Sequence, residues 1–371
     1  MLHWLAMTVD QVTLRRTRKL GLTAHDASKA WQGYTLYTPM FGDGTVYLLD
    51  MQGNEVHTWK LPYPPGDYGY LLPNGNLFYL GKTPEGADDL FAAFPIFMGG
   101  ALLEVDWDGN VVWEHRDPAQ HHDGRRTDSG GAAYLAIAEL PAGLAARVRG
   151  GLPNSEHHGR MYADRVVEVD RDGKLLWEWS SWEHLDPEVD VITPADLRDE
   201  WTHSNTIVPL PSGDFIISMR NLSTVARIDR KTGDFVWKIT PPLLAQQHDP
   251  SLLDNGNVLL FNNGTQRRNI PLIFSNVIEV EPASSNVVWQ YRDTSSMMSF
   301  FSSYISGVQR LPNGNTLICE GLTGRMFEVT PDREVVWEYT NPYFFETRVF
   351  GNTNAVFRAR RYSAELFPRL K

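Results

Sequence analysis

Three stretches of the chain carry a histidine at nearly the same distance from a turn glycine. His122 stands eight residues before Gly130, His248 eight before Gly256, and His203 ten before Gly213. Sister stretches put Asp67 eight residues before Gly75 and Ser306 eight before Gly314. The local words are Gln120-His121-His122-Asp123, Thr202-His203-Ser204-Asn205 and Gln247-His248-Asp249, the last followed by Leu259-Leu260-Phe261-Asn262-Asn263-Gly264. Arg220, in Ser218-Met219-Arg220-Asn221, ends the strand expected after His203. Imidazole changes charge near neutral pH and serves as nucleophile, general acid or metal ligand. Guanidinium presents a fixed fork of donors suited to an oxyanion. A lone histidine is ordinarily structural; three in one register argue for a shared site. Two chemistries fit: transfer of an anionic group, or a histidine-held divalent ion; a non-catalytic interaction propeller is a third reading, and it leaves these histidines unexplained. An arginine in the same cavity repels a cation and favours the first.

A repeat must position these residues. Six times the chain writes an apolar strand, an acidic turn and a second strand ending in Trp: Trp59, Trp113, Trp177, Trp237, Trp289 and Trp337. Between them runs a second hairpin with turns at Asn74-Gly75, Ser212-Gly213, Asn255-Gly256 and Asn313-Gly314, and a degenerate copy at Asp128-Ser129-Gly130. Period-2 alternation around such turns marks β-hairpins. Four strands recurring at roughly 50 residues predict an all-β fold, a six-bladed β-propeller. Residues 354–362 lack a hairpin partner, and residues 33–39 form an orphan strand ahead of the first repeat. The N-terminal strand therefore closes the ring, which removes free sheet edges. In that geometry the matched strand starts converge on one end of the central channel.

Around the ring (33–362) the chain predicts an N-terminal extension (1–32) with a short helix over 26–31, and a tail (363–371). Insertions at 139–164 and 180–201 allow short helices and are expected to cover one mouth, since long loops in compact folds are commonly functional. The pair His157-His158 lies in the first insertion, as surface or as cover. Length alone would suggest two or more domains; the repeat overrides that. A net charge of −11 argues against nucleic-acid or anionic-membrane partners. The one cysteine, Cys319, excludes an internal disulfide and reads as a buried small hydrophobe. Residues 1–11 lack the basic start and unbroken apolar run of a secretion signal, so a cytoplasmic location is expected, or a periplasmic one after signal removal. Walker, Rossmann, nucleophile-elbow and His-Glu-x-x-His signatures are missing from the sequence.

The words HHD, HSN, SMR and QHD with LLFNNG resemble the arylsulfate sulfotransferase family over residues 34–362. These are propeller enzymes that move a sulfuryl group between phenols without a nucleotide sulfate donor. The resemblance implies His248 as nucleophile, an N-sulfohistidine intermediate and a ping-pong cycle. It implies His203, Arg220 and His122 (or His121) around the donor sulfate, with Asn205 as polar partner of His203. His121, Asn205, Asp249 and Asn263 are expected at the substrate; Asp249 reads equally as an orienting group for His248 or as a turn cap. The resemblance implies an aryl sulfate donor, a phenolic acceptor, no cofactor and no metal. Better-known members carry a disulfide and an extra N-terminal domain, from which this sequence departs. Trp201, Phe300, Phe301, Tyr304, Phe344 and Phe345 are candidates for an aromatic pocket wall, with loop packing as the ordinary alternative.

Overall fold

In the computed structural model of the chain, residues 19–83, 90, 96–270, 272–295, 299–348 and 350–370 are described. The N-terminal residues on which the location was read lie outside them. Among the described residues no helix is long and apolar enough to cross a membrane.

Among the described residues six antiparallel sheets form the blades of a closed propeller, five of four strands and one of five. The first blade takes its inner strand from the C-terminal side, Val356–Tyr362, and its outer three from the N-terminal side, Tyr34–Pro39, Thr45–Leu49 and Glu55–Lys60. The other five are built in chain order. Their inner strands are Pro65–Leu71, Gln120–Arg126, Ser204–Pro209, His248–Leu252 and Gly307–Arg310. Each inner strand packs on the next around the ring. The seam pairs Tyr34 with Tyr362 and Pro39 with Val356, so the predicted closure holds.

Outside the core blades the fold differs from expectation. Gly21–His25 is a strand that pairs with Val335–Thr340 and gives the sixth blade a fifth, outermost member. Residues 26–31 form a turn, not a helix: the Ala30 amide donates to the Asp26 carbonyl at 2.9 Å and the chain then runs on without helical bonds. The tail is anchored by Phe367, buried edge-on against Tyr34 at 5.1 Å. The insertions contain a four-residue α-helix, Ala142–Ala145, and a three-residue 3-10 turn, Ser181–Glu183, and are stitched together by a parallel bridge between Gly150 and Ile192. His157 and His158 pack on each other at the surface. Cys319 is buried, its thiol directed at the Val356 carbonyl.

The blades are joined by a repeated clamp. On the third strand of four blades a glutamate faces the repeat Trp across the ladder: Glu104 and Trp113, Glu168 and Trp177, Glu279 and Trp289, Glu328 and Trp337. An arginine from the next blade covers each Trp, with its guanidinium carbon 4.2–5.1 Å from the ring centre, and ion-pairs with that glutamate: Arg126, Arg230, Arg310 and Arg361. Turn asparagines complete the carboxylates, as Asn74 and Asn76 do at Glu104. The indole N–H then reaches the acidic turn of the following blade: Trp59 to Asp106, Trp113 to Arg171, Trp289 to Pro331 and Trp337 to Met51, at 2.8–3.0 Å. In the third blade Trp179, two residues beyond the repeat Trp, makes this bond to Gly233.

A guanidinium that is stacked, ion-paired and buried cannot be removed without stranding its partner. Arg361 and Glu328 are both about 1% exposed or less. Arg361→Met should therefore destabilise the fold by roughly 3 kcal/mol. Pairing it with Glu328→Gln should recover part of that loss, read as a non-additive double-mutant cycle in urea unfolding.

Candidate active site

The inner strands begin irregularly, and that irregularity places the site. Register shifts fall opposite His121–Gly124, between Ser204 and Thr206, and between His248 and Ser251. At the same strand starts the backbone enters the left-handed region at His122 (φ 49°), His203 (44°), Asp249 (53°) and Ile305 (45°). Such φ values are uncommon for residues with a Cβ, and bulges re-aim the side chains beside them. The rings of His122 and His203 approach edge-on at 4.8 Å between centroids. Phe97 stacks on His122 at 4.5 Å and meets His203 edge-on at 5.4 Å. A cavity of about 350 Å³ opens at this end of the channel. Its polar side is His203, Arg220, His248, Asp196 and Asp199; its apolar side is Phe97, Leu197, Tyr304 and Phe350.

Hydrogen bonds define the face His248 presents. Its Nδ1 lies 2.8 Å from the Asn263 Oδ1. The Asn263 amide nitrogen donates to the Ser302 carbonyl at 2.9 Å, which sets the amide so that its oxygen faces the imidazole. An amide oxygen only accepts, so Nδ1 carries the proton and Nε2 keeps its lone pair. Burial pushes His248 down to about 3; the Asn263 bond opposes this and the charges of Arg220 and Arg358 reinforce it. His248 is therefore neutral across the physiological range.

The other histidines are held as firmly. His203 Nδ1 bonds Glu200; burial, aided by Arg220, pushes His203 down to about 4. Burial lowers His122 well below its ordinary value, with its histidine neighbours and Arg358 adding to the effect. His121 stands behind, bonded to His122 at 2.7 Å and paired with Asp164 at 3.1 Å. Arg220 extends one terminal nitrogen to Asp196 at 3.1 Å and to Asn221 at 2.9 Å. Asp196 also accepts from Gln246 at 2.7 and 2.9 Å, so the 180–201 insertion is seated on the rim by its own acid.

Of the predicted residues, the structure brings His203, Arg220 and His248 to the cavity wall, with His122 against Phe97 and His203 beneath it. Asn263 reaches His248 rather than the cavity. Asn205 and Asp249, expected at the substrate, are turned away from it. The Asn205 amide donates to the Gln247 carbonyl at 2.9 Å. Asp249 takes two bonds from Arg360 (2.6 and 2.8 Å) and one from the Val308 amide, and pairs with Arg358. It thus braces the ring instead of orienting His248. Among the aromatic candidates Tyr304 lines the cavity, with Phe350 stacked on it at 5.2 Å. Trp201 and Phe300 are core residues, and Phe301, Phe344 and Phe345 are not part of the wall. Sequence reading missed Asp196, Asp199, Glu200, Phe97 and Phe350. The acidic cluster in the second insertion was a readable signal for the first three. Phe97 and Phe350 sit on connections that carry no register mark. Among the described residues no three His, Cys, Asp or Glu side chains are placed to hold a metal ion.

A family model described as arylsulfotransferase (ASST) matches residues 96–342, well over half of the chain. The chain belongs to the arylsulfotransferase family. The match includes His122, His203, Arg220, His248 and Asn263. No curated protein matches. Among solved structures, a protein of unknown function from Bacteroides caccae superposes with a TM-score of 0.56 at 11% identity, over 89% of this chain and 99% of that one. Virginiamycin B lyase from Staphylococcus aureus aligns at 11% identity with a TM-score of 0.46, over 87% of this chain and 84% of that one. The first of these likenesses supports the propeller fold.

A neutral His248 has a direct chemical readout. Diethyl pyrocarbonate acylates only unprotonated imidazole. A histidine of ordinary value, about 6.5, should react roughly 25-fold more slowly at pH 5 than at pH 7. The peptide containing His248 should react at nearly the same rate at both, as followed by mass spectrometry.

Proposed function

We propose that this arylsulfotransferase moves a sulfuryl group from an aryl sulfate ester to a phenolic acceptor in a ping-pong cycle through N-sulfohistidine at His248. The observation that carries the reading is the Asn263 bond to His248 Nδ1, which leaves the Nε2 lone pair unused in a residue lining one cavity with Arg220 and His203. A neutral imidazole in that state is a competent nucleophile.

The first half-cycle forms the bond from His248 Nε2 to sulfur as the bond from sulfur to the aryl oxygen breaks. The aryl oxygen leaves with the electron pair and takes a proton. The transferring group spreads negative charge over three equatorial oxygens, as in phosphoryl transfer, so catalysis rests on positioning and electrostatics. Arg220 supplies donors to those oxygens, and its bond to Asp196 holds it at the rim. His203 donates to the leaving oxygen as general acid, while His122 and Phe97 keep its ring in place. Phe97, Tyr304 and Phe350 form an apolar wall suited to an aryl ring. In the second half-cycle an acceptor phenol attacks the sulfur and His248 is regenerated.

His248→Ala should abolish transfer from 4-nitrophenyl sulfate to phenol. Turnover at the wild-type level in that variant would remove His248 from the nucleophile's role. Arg220→Lys should lose at least about tenfold in kcat, because a point charge cannot replace the fork. Wild-type protein incubated with donor and no acceptor should gain one sulfuryl mass on the peptide containing His248.

A further inference from the structure

Glu200 is a carboxylic side chain about 2% exposed, three residues before His203 and bonded to its Nδ1. We propose that Glu200 is the positioning residue of the sulfuryl transfer: it holds the second proton of a Glu200–His203 dyad and so makes His203 a general acid at neutral pH. This inference rests on the sulfotransferase reading for its substrate but on the dyad's own geometry for its protons.

A neutral imidazole alone is a poor acid. His203 by itself would have to leave as imidazolate after giving up a proton. The dyad avoids this. With two protons it has no net charge, whether written as carboxylic acid and imidazole or as carboxylate and imidazolium. In both forms one proton lies between Glu200 and Nδ1, and the other sits on Nε2. As the bond from sulfur to the aryl oxygen breaks, Nε2 passes its proton to that oxygen. The remaining proton settles on Nδ1 against the Glu200 carboxylate, leaving the dyad at −1. In the return step the acceptor phenol gives its proton to Nε2 while its oxygen attacks sulfur, the bond from His248 Nε2 to sulfur breaks, and the electron pair returns to His248. The proton count closes over the cycle.

The surroundings favour this use. Glu200 faces Asp164 from the third strand of its blade, His121 from the inner strand, Arg220 from the neighbouring blade, and Asp199 along its own segment. His203 faces Arg220, Asp164, Asp196 and Asp199, and the rings of His122 and Phe97. Burial and the Asp164 carboxylate push Glu200 up to about 8. The dyad thus keeps both protons below about pH 8 and loses one above it, which sets the sign: acid assistance is present at neutral pH and fades as pH rises.

Leaving-group dependence tests the proposal. Phenyl sulfate needs its departing oxygen protonated, whereas 4-nitrophenyl sulfate releases a stabilised phenolate. Glu200→Gln keeps the shape and a hydrogen bond but cannot supply the second proton. It should lower kcat for phenyl sulfate by about 10²-fold, leave 4-nitrophenyl sulfate within severalfold, and remove the fall in rate above about pH 8. Asp199→Asn should keep that fall; this control matters because burial and Glu200 raise Asp199 to about 7 beside the cavity. Equal losses for the two donors, or an unchanged profile, would overturn the dyad. ¹⁵N NMR of His203 supplies a readout without activity. Nε2 should be protonated near neutral pH in the wild type and lose its proton above about pH 8, a step that Glu200→Gln abolishes. An unprotonated Nε2 at neutral pH sinks the proposal outright. Absence of transfer from both donors in the wild type, with the NMR step intact, would instead refute the sulfotransferase reading and leave the dyad standing.

Discussion

The ring depends on a contact that no blade makes within itself: an arginine from one blade lying over the Trp of the preceding blade and paired with the glutamate beside it. A four-stranded sheet of this length has two faces to bury and two edges to protect. The clamp joins apolar and ionic burial at one point. The glutamate is satisfied by turn asparagines as well as by the arginine, as at Glu279 with Asn255, Asn257 and Arg310. That completeness matters, because a buried ion pair with unmet bonding capacity costs more than it returns. The final copy, Arg361 with Glu328 and Trp337, spans the seam between the ends of the chain.

The same closed ring governs the chemistry. Arg358 crosses the channel floor to Asp123, Asp249 and the Asn205 carbonyl, tying four blades beneath the histidines. This ionic floor shields the site from the far mouth and brings positive charge under it. Burial and that charge together depress His122 and His248, and burial with Arg220 depresses His203. A wetter channel would let the cluster protonate in weak acid and remove the His248 lone pair. The channel therefore contributes a protonation state as well as positions. Asn263 then decides which nitrogen of His248 carries the proton, and in the dyad we propose Glu200 gives His203 a different proton inventory from its neighbours.

Much of this was legible in the chain. The six Trp-ended hairpins and the Asn-Gly turns specify blade number, and the unpaired strands at 33–39 and 354–362 specify closure. Near-equal spacing to the turn glycine was enough to bring His203 and His248 to one cavity and His122 against His203, because strands in similar register converge. Spacing could not say which way a side chain points. Asp249 follows His248 directly, yet the bulge sends its carboxylate to Arg358 and Arg360. Asn205 was expected beside the substrate and is spent on the Gln247 carbonyl. The strand Gly21–His25 was missed because its five residues lack a turn partner of their own and find one only on the sixth blade.

The sequence by itself determined the repeat, the ring and the candidate histidines, since each follows from local pattern read along a fixed period. The tertiary structure alone decided the protonation states and the cavity wall. Those depend on groups far apart in the chain. Phe97 and Phe350 come to one cavity only across the closed ring, and the Ser302 carbonyl turns Asn263, which in turn orients His248. Burial, the largest cause of every histidine shift in the cluster, does not exist until the blades close around it.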